Sequence, residues 1–171
     1  ADVVINCCHG NNGEDGTIAA LCSLLGVPQV GSPLIPSAVA MDKVFTKRVL
    51  RDANVPVIEG FEVTPHSIEN LRDLAKDYEF PLIVKPATLG SSIGVKVCSD
   101  FEELNEALAL AFRYDDKVLC ERALTDFIEL NCAAMRVNGE IVTSVVDCPV
   151  SIHDILTFED KYVSNQPIDL K

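Results

Sequence analysis

Residues 81–94 read Pro81-Leu82-Ile83-Val84-Lys85-Pro86-Ala87-Thr88-Leu89-Gly90-Ser91-Ser92-Ile93-Gly94. Leu82, Ile83 and Val84 form an apolar run short enough for a buried strand. Lys85 ends the run, and Pro86, which has no N–H to give, is expected to stop the pairing. Gly90, Ser91, Ser92 and Gly94 make a small, bendable loop, and Val95, Val97 and Cys98 restart a strand. A glycine-rich turn between two strands, with a lysine at its mouth, can wrap a polyphosphate. Backbone N–H groups and hydroxyls donate to phosphate oxygens while the lysine supplies charge. The competing reading is a hairpin turn beside a solvated lysine.

Working outward, the same alternation continues. Gly60 to Val63 reads as a strand and Ser67 to Tyr78 as an amphipathic helix through Ile68, Leu71, Leu74 and Ala75. After the loop, Ser99 and Glu102 have capping-box spacing ahead of a helix on Phe101, Leu104, Leu108 and Phe112. Lys117 to Glu121 is a further strand. The middle thus predicts strand, helix, strand, glycine loop, strand, helix, strand: a compact α+β unit. Beyond it, Phe127 to Val137 and Glu140 to Val146 flank Asn138-Gly139, a two-residue hairpin signal.

Towards the amino terminus, Val3, Val4 and Ile5 predict a buried strand, followed by the polar, glycine-rich loop Cys8 to Gly16. Thr17 to Leu25 predicts a helix with Ile18, Leu21, Leu24 and Leu25 on one face, closed by Gly26 and Pro28. Strand, glycine loop, helix opens an α/β unit, but these glycines do not spell GxGxxG, so no dinucleotide fingerprint is present. Gly31 to Pro36 reads as a linker. Ser37 to Ala53 predicts one helix carrying Lys43, Lys47, Arg48 and Arg51, residues that ordinarily form a solvated face.

Composition bounds the partners. The chain has 171 residues with 26 acidic against 14 basic, a net charge of −12, which argues against nucleic acid or an anionic membrane as partner. No apolar run approaches the roughly 18 residues of a membrane span. Ala1-Asp2-Val3 lacks the basic start of a signal peptide. The seven cysteines are odd in number, show no CxxC, and mostly sit in apolar runs, which predicts reduced, buried thiols in the cytoplasm. Both ends are abrupt, and a longer polypeptide is expected.

In order along the chain, His9-Gly10…Gly13-Glu14-Asp15-Gly16, Ser37-Ala38…Ala40-Met41-Asp42-Lys43, Val84-Lys85-Pro86-Ala87…Gly90-Ser91-Ser92-Ile93-Gly94, Glu129…Asn131-Cys132 and Phe158-Glu159-Asp160-Lys161-Tyr162 resemble the D-alanine–D-alanine ligases of the ATP-grasp superfamily. The resemblance implies an α/β, ATP-grasp architecture. Its parts would be the tail of a Rossmann-like substrate domain (1–32), a small α+β ATP-binding subdomain (33–124) and the start of a β-rich subdomain with a substrate-covering loop (125–171). It implies ATP and Mg²⁺ as cofactors, D-alanine as substrate, a cytoplasmic enzyme of peptidoglycan synthesis, and a second copy as a partner, since the family is commonly dimeric.

It also implies roles. Lys43 and Lys85 would contact phosphate, and Ser91, Ser92, Ile93 and Gly94 would form the flap over it, with Ser91 also orienting substrate. Glu121, Arg122 and Leu124 would form the adenine hinge, with main-chain groups of Arg122 and Leu124 at the base edge. Glu129 would accept from the ribose hydroxyls. His9 would stand near the first D-alanine. Lys161 would reach the transferred phosphate, and Tyr162 would bond toward the serine loop. The Lys161-Tyr162 pattern points to D-alanine rather than D-lactate as acceptor. Glu14 and Asp15 either serve substrate or cap the helix at Thr17.

Two family segments have no counterpart: the first strand with its glutamate for the D-alanine amine, and the later run of Mg²⁺ ligands. The expectation is therefore a central portion of a longer ligase, inactive alone, with no metal ligand of its own. The alternatives are another ATP-grasp carboxylate–amine ligase, such as a D-Ala–D-Ser enzyme, and a non-catalytic nucleotide-binding fragment.

Overall fold

The computed structural model describes residues 2–148. The chain divides into two units, Ala1–Ala123 and Leu124–Lys171.

The centre of the first unit is a four-stranded antiparallel sheet of order β3-β6-β4-β5, built from β3 (Gly60–Val63), β4 (Leu82–Pro86), β5 (Lys96–Cys98) and β6 (Val118–Arg122). Period-two alternation gives the sheet two faces. Phe61, Val63, Leu82, Val84, Cys98, Val118 and Cys120 point one way, into a core closed by Leu104, Ala107, Leu108 and Ala111 of α5 (Phe101–Ala111) and by Leu71 and Ala75 of α4 (Leu71–Ala75). Lys85, Leu119 and Glu121 alternate with those residues, and there Leu119 packs with Ala87 and with Val44 of α3 (Lys43–Asp52).

The predicted order of strands, helices and loop across this unit holds, with local corrections. Pro86 does not stop the pairing: it remains in register opposite Val118 at the end of β4, beyond the residues that pair with β5. The cap of α5 is Asp100, not Ser99. Its carboxylate accepts from the N–H groups of Glu102 and Glu103 at 2.9 Å, while Glu103 reaches back to the Ser99 N–H at 2.7 Å. The helix expected over 67–78 is a 3₁₀ turn at Ile68–Asn70 followed by the short α4.

The single helix expected from Ser37 to Ala53 is two, α2 (Leu34–Met41) and α3, and α2 begins inside the expected linker. Asp42 breaks them. It is extended (ψ 109°) and caps α3 by accepting from Val44 and Phe45, while its other oxygen holds the Lys117 ammonium.

At the start of the chain, β1 (Val4–Ile5) pairs in parallel with β2 (Gln29–Val30), a strand the sequence reading missed. Between them α1 (Thr17–Leu24) ends as expected, with Gly26 at φ 66° and the Val27 N–H reaching back to the Cys22 carbonyl. The expected burial does not hold. Val3, Ile5, Leu21, Leu24 and Leu25 are exposed. The cysteines divide likewise: Cys22, Cys98 and Cys120 are buried, and Cys7, Cys8, Cys132 and Cys148 are exposed.

In the second unit β7 (Ala134–Val137) and β8 (Glu140–Thr143) form the expected hairpin, shorter than predicted. Asn138 and Gly139 both take positive φ, as a two-residue turn of this kind requires. Among the described residues, no helix is long and apolar enough to cross a membrane.

Candidate functional site

The sheet register builds the site. Lys85 lies opposite Leu119 and Ile83 opposite Glu121, so Lys85 and Glu121 are diagonal neighbours on one face. The Lys85 ammonium stands 2.5 Å from Oε1 of Glu121. Glu121 is only 3% exposed. Its Oε2 has no well-aligned hydrogen bond but stands 2.6 Å from the ammonium of Lys47. On the other side of β6, Gly60 faces Glu121. A Cβ at Gly60 would fall 2.4 Å from the Cys120 carbonyl oxygen and 2.7 Å from the Glu121 Cβ, so only glycine lets the strands close beside this carboxylate.

Helix α3 lies over the same face. Its apolar and basic residues recur at helical spacing: Val44 enters the small core, Lys47 meets Glu121, and Arg48 meets Glu62 at 2.7 Å. Lys43, its first residue, donates its backbone N–H to the Ala87 carbonyl at 2.9 Å. Its ammonium donates to the carbonyls of Pro86 (2.9 Å), Ala87 (3.4 Å) and Leu89. Burial, and next the charge of Lys85, push the Lys43 pKa below 10.5; Asp115, Asp42 and Glu121 act in the opposite direction. The two lysines singled out in the sequence are thus brought near one another, close enough for the charge of Lys85 to act on Lys43.

That main chain is itself braced. Asp115 accepts from the Thr88 N–H at 2.7 Å and hydroxyl at 2.8 Å, and Ala87 donates to the Lys117 carbonyl. In the loop beyond, Ser91 and Ser92 hold positive φ (54° and 58°), and Gly94 does so at 70°. A Cβ on Gly94 would meet Pro86 Cγ at 2.9 Å. Ile93 donates to the Gly90 carbonyl at 3.2 Å and is 38% exposed.

Of the hinge residues, Arg122 ends β6 with its N–H given to the Glu59 carbonyl at 3.3 Å, and Ala123 gives its own to Pro81. Leu124 opens the second unit, where Glu129 is half-buried in a segment without regular structure. His9 lies elsewhere in the first unit. It lines a cleft of about 490 Å³ with Asn6, Gly13, Glu14, Ser32 and Ser37, a lining that contains none of Lys43, Lys85 or Glu121. Glu14 accepts from the Gly10 N–H, and Asp15 accepts from the N–H groups of Asn12 and Thr17, which is the capping role. Lys161 and Tyr162 lie outside the described residues.

Sequence reasoning missed Lys47, Asp42 and Lys117. The sequence pattern groups Lys47 with a solvated face, yet its side chain is 16% exposed. Its spacing of one turn from Lys43 was the available signal; its partner, Glu121, is distant in sequence.

Among the described residues, no three His, Cys, Asp or Glu side chains converge as a metal would need. The donors present do not fit Mg²⁺. The ammonium groups of this face suit a polyphosphate, and the carboxylate at its edge suits a hydrogen-bond donor such as an amine.

Residues 49–171 match the family described as D-ala D-ala ligase C-terminus. The chain is 40% identical over 164 residues to the D-alanine--D-alanine ligase of Thermosipho africanus (strain TCF52B), covering 95% of this chain and 44% of that protein. Its structure is similar to the D-alanine-D-alanine ligase from Coxiella burnetii, with TM-score 0.79 and 33% identity over 86% of this chain and 44% of that one. It is also similar to the VanG D-Ala:D-Ser ligase from Enterococcus faecalis, with TM-score 0.81 and 30% identity over 88% of this chain and 43% of that one. The chain thus spans less than half the length of each of these three relatives.

Proposed function

The chain belongs to the D-alanine–D-alanine ligase family, and on that premise we propose that it carries the ATP-binding portion of an ATP-dependent D-alanine–D-alanine ligase. The reaction is phosphorylation of one D-alanine carboxylate by ATP, then attack of a second D-alanine amine on the acylphosphate, giving the dipeptide of peptidoglycan. The observation that carries this reading is the meeting of Lys43, Lys85 and the 86–89 main chain beside buried Glu121.

In this reading Lys85 and Lys43 supply charge to the triphosphate, which carries most of the reaction's electrostatic load. Lys43 has three ammonium protons and three carbonyl partners, so it meets a phosphate by exchanging one carbonyl for a phosphate oxygen. Ser91, Ser92, Ile93 and Gly94 close over the phosphates and exclude water, which would otherwise hydrolyse an acylphosphate. Ser91 orients substrate. Glu121, Arg122 and Leu124 receive the base, Glu129 the ribose, and His9 the first D-alanine, with Lys161 and Tyr162 acting on the transferred phosphate and the serine loop. The domain division at 1–32, 33–124 and 125–171, the cytoplasmic location and the dimer belong to the same reading. Mg²⁺ is held by residues other than those described.

A D-Ala–D-Ser ligase is the second reading, favoured by the likeness to the Enterococcus faecalis enzyme. The test is phosphate release and dipeptide formation by the complete ligase given ATP with D-alanine, D-serine or D-lactate. Release with D-alanine supports the first reading, and a preference for D-serine supports the second. No release with any acceptor ends both.

A further inference from the structure

The phosphate and base contacts leave one buried cation of this face without a role: Lys47. It follows Lys43 by one turn of α3, and its ammonium donates to the Ile58 carbonyl at 2.6 Å while standing 2.6 Å from Oε2 of Glu121. Its neighbour Arg48 is 58% exposed, against 16% for the Lys47 side chain. Two cations therefore share a single carboxylate whose side chain is 4% exposed, Lys47 at one oxygen and Lys85 at the other.

The two are not equivalent. Lys47 is held by a main-chain carbonyl as well as by Glu121, whereas the Lys85 side chain is the more exposed, at 26%. When a triphosphate draws Lys85 away, Glu121 loses the counter-ion at Oε1. A buried carboxylate stripped of its partners is strongly penalised. Lys47 stays, held by the Ile58 carbonyl, and occupies Oε2, which leaves Oε1 to accept from a new donor.

Resting on the nucleotide reading above, we infer that Lys47 is a positioning residue for base selection. It fixes Glu121 so that the exocyclic amine of a 6-aminopurine replaces Lys85 at Oε1 as Lys85 turns to the phosphates. A 6-oxopurine presents a carbonyl oxygen there, two acceptors meet, and Lys85 is retained. Base identity and phosphate binding are coupled through a single exchange at Oε1. Sites that hydrogen-bond a ligand group discriminate strongly against a ligand lacking it.

The test titrates the purified protein with ATP and with GTP by calorimetry, for wild type, Lys47→Arg, Lys47→Met and Glu121→Gln, alongside thermal unfolding. Wild type is expected to prefer ATP. Lys47→Met is expected to lower the ATP-to-GTP affinity ratio by about tenfold or more, the weight of one charge-assisted hydrogen bond. Lys47→Arg keeps the ratio. Glu121→Gln, whose amide both donates and accepts, brings it towards parity. A Lys47→Met variant that loses ATP and GTP affinity in equal proportion overturns the inference, because a simple structural brace does that. If Lys47→Met does not fold, Glu121→Gln decides, and a ratio equal to wild type overturns it. Wild type that binds neither nucleotide overturns the nucleotide reading itself; wild type that binds ATP with a ratio indifferent to Lys47 overturns this inference alone.

Discussion

Lys43 donates its backbone N–H to the Ala87 carbonyl at 2.9 Å, which ties the first residue of α3 to the main chain just beyond Lys85. The two lysines are therefore not independent surface charges. One opens a helix and the other stands next to the end of a strand, and main-chain and side-chain hydrogen bonds of Lys43 join those ends.

The buried position of Lys43 gives a pH signature. Its pKa is depressed, first by burial and then by Lys85. Phosphate affinity needs the charged form, so ATP affinity is expected to fall with rising pH before an ordinary lysine at 10.5 would lose its proton. Stability has the opposite sign. Between the lowered folded value and 10.5 the unfolded chain binds more protons, so wild type gains stability with pH across that window relative to Lys43→Met. Calorimetric titrations and urea denaturation from neutral pH to about pH 10 measure both.

Asp42 should behave as a cap and as a counter-ion. Burial works against its charge, but the Lys117 ammonium and the N–H groups of Phe45 and Val44 outweigh it, and the pKa lies below 3.8. Asp42→Ala is expected to cost roughly 1–3 kcal/mol, combining a lost cap with a lost charge-assisted bond. Asp42→Asn keeps an acceptor for the cap and should cost less. The contribution of the charge is present above the unfolded value and is lost as the pH falls below 3.8 through the folded one. Urea denaturation of the three proteins at neutral and acid pH tests this.

Gly60 admits Glu121 to its place. Gly60→Ala puts a methyl 2.4 Å from the Cys120 carbonyl oxygen, so β3 and β6 must part. The expected loss is about 1–3 kcal/mol of stability, as for overpacked cores. ATP affinity should fall with it, measured in the same samples.

Much of this was legible in the sequence, for reasons particular residues make plain. The run Leu82-Ile83-Val84 and the hairpin at Asn138-Gly139 are local signals, and their elements formed where the local rule placed them. Asp42 was not legible as a helix break: its extended backbone goes with a cap and with Lys117, which is remote in sequence. Lys47 was read as solvated for the same reason, since only the fold brings β6 beneath α3. The exposure of Val3, Ile5 and Leu24 escaped a periodicity argument, which identifies an apolar face but not what covers it.

The proposed ligase chemistry stands on the proposal that Lys43, Lys85 and the loop beside them bind the triphosphate. Calorimetric titration of wild type, Lys43→Met, Lys85→Met and the double variant with ATP tests it most directly. The account predicts saturable binding by wild type, a loss of about tenfold or more for each single variant, and no detectable binding by the double variant. ATP binding that is equally tight in all four proteins, each folded by circular dichroism, would contradict it.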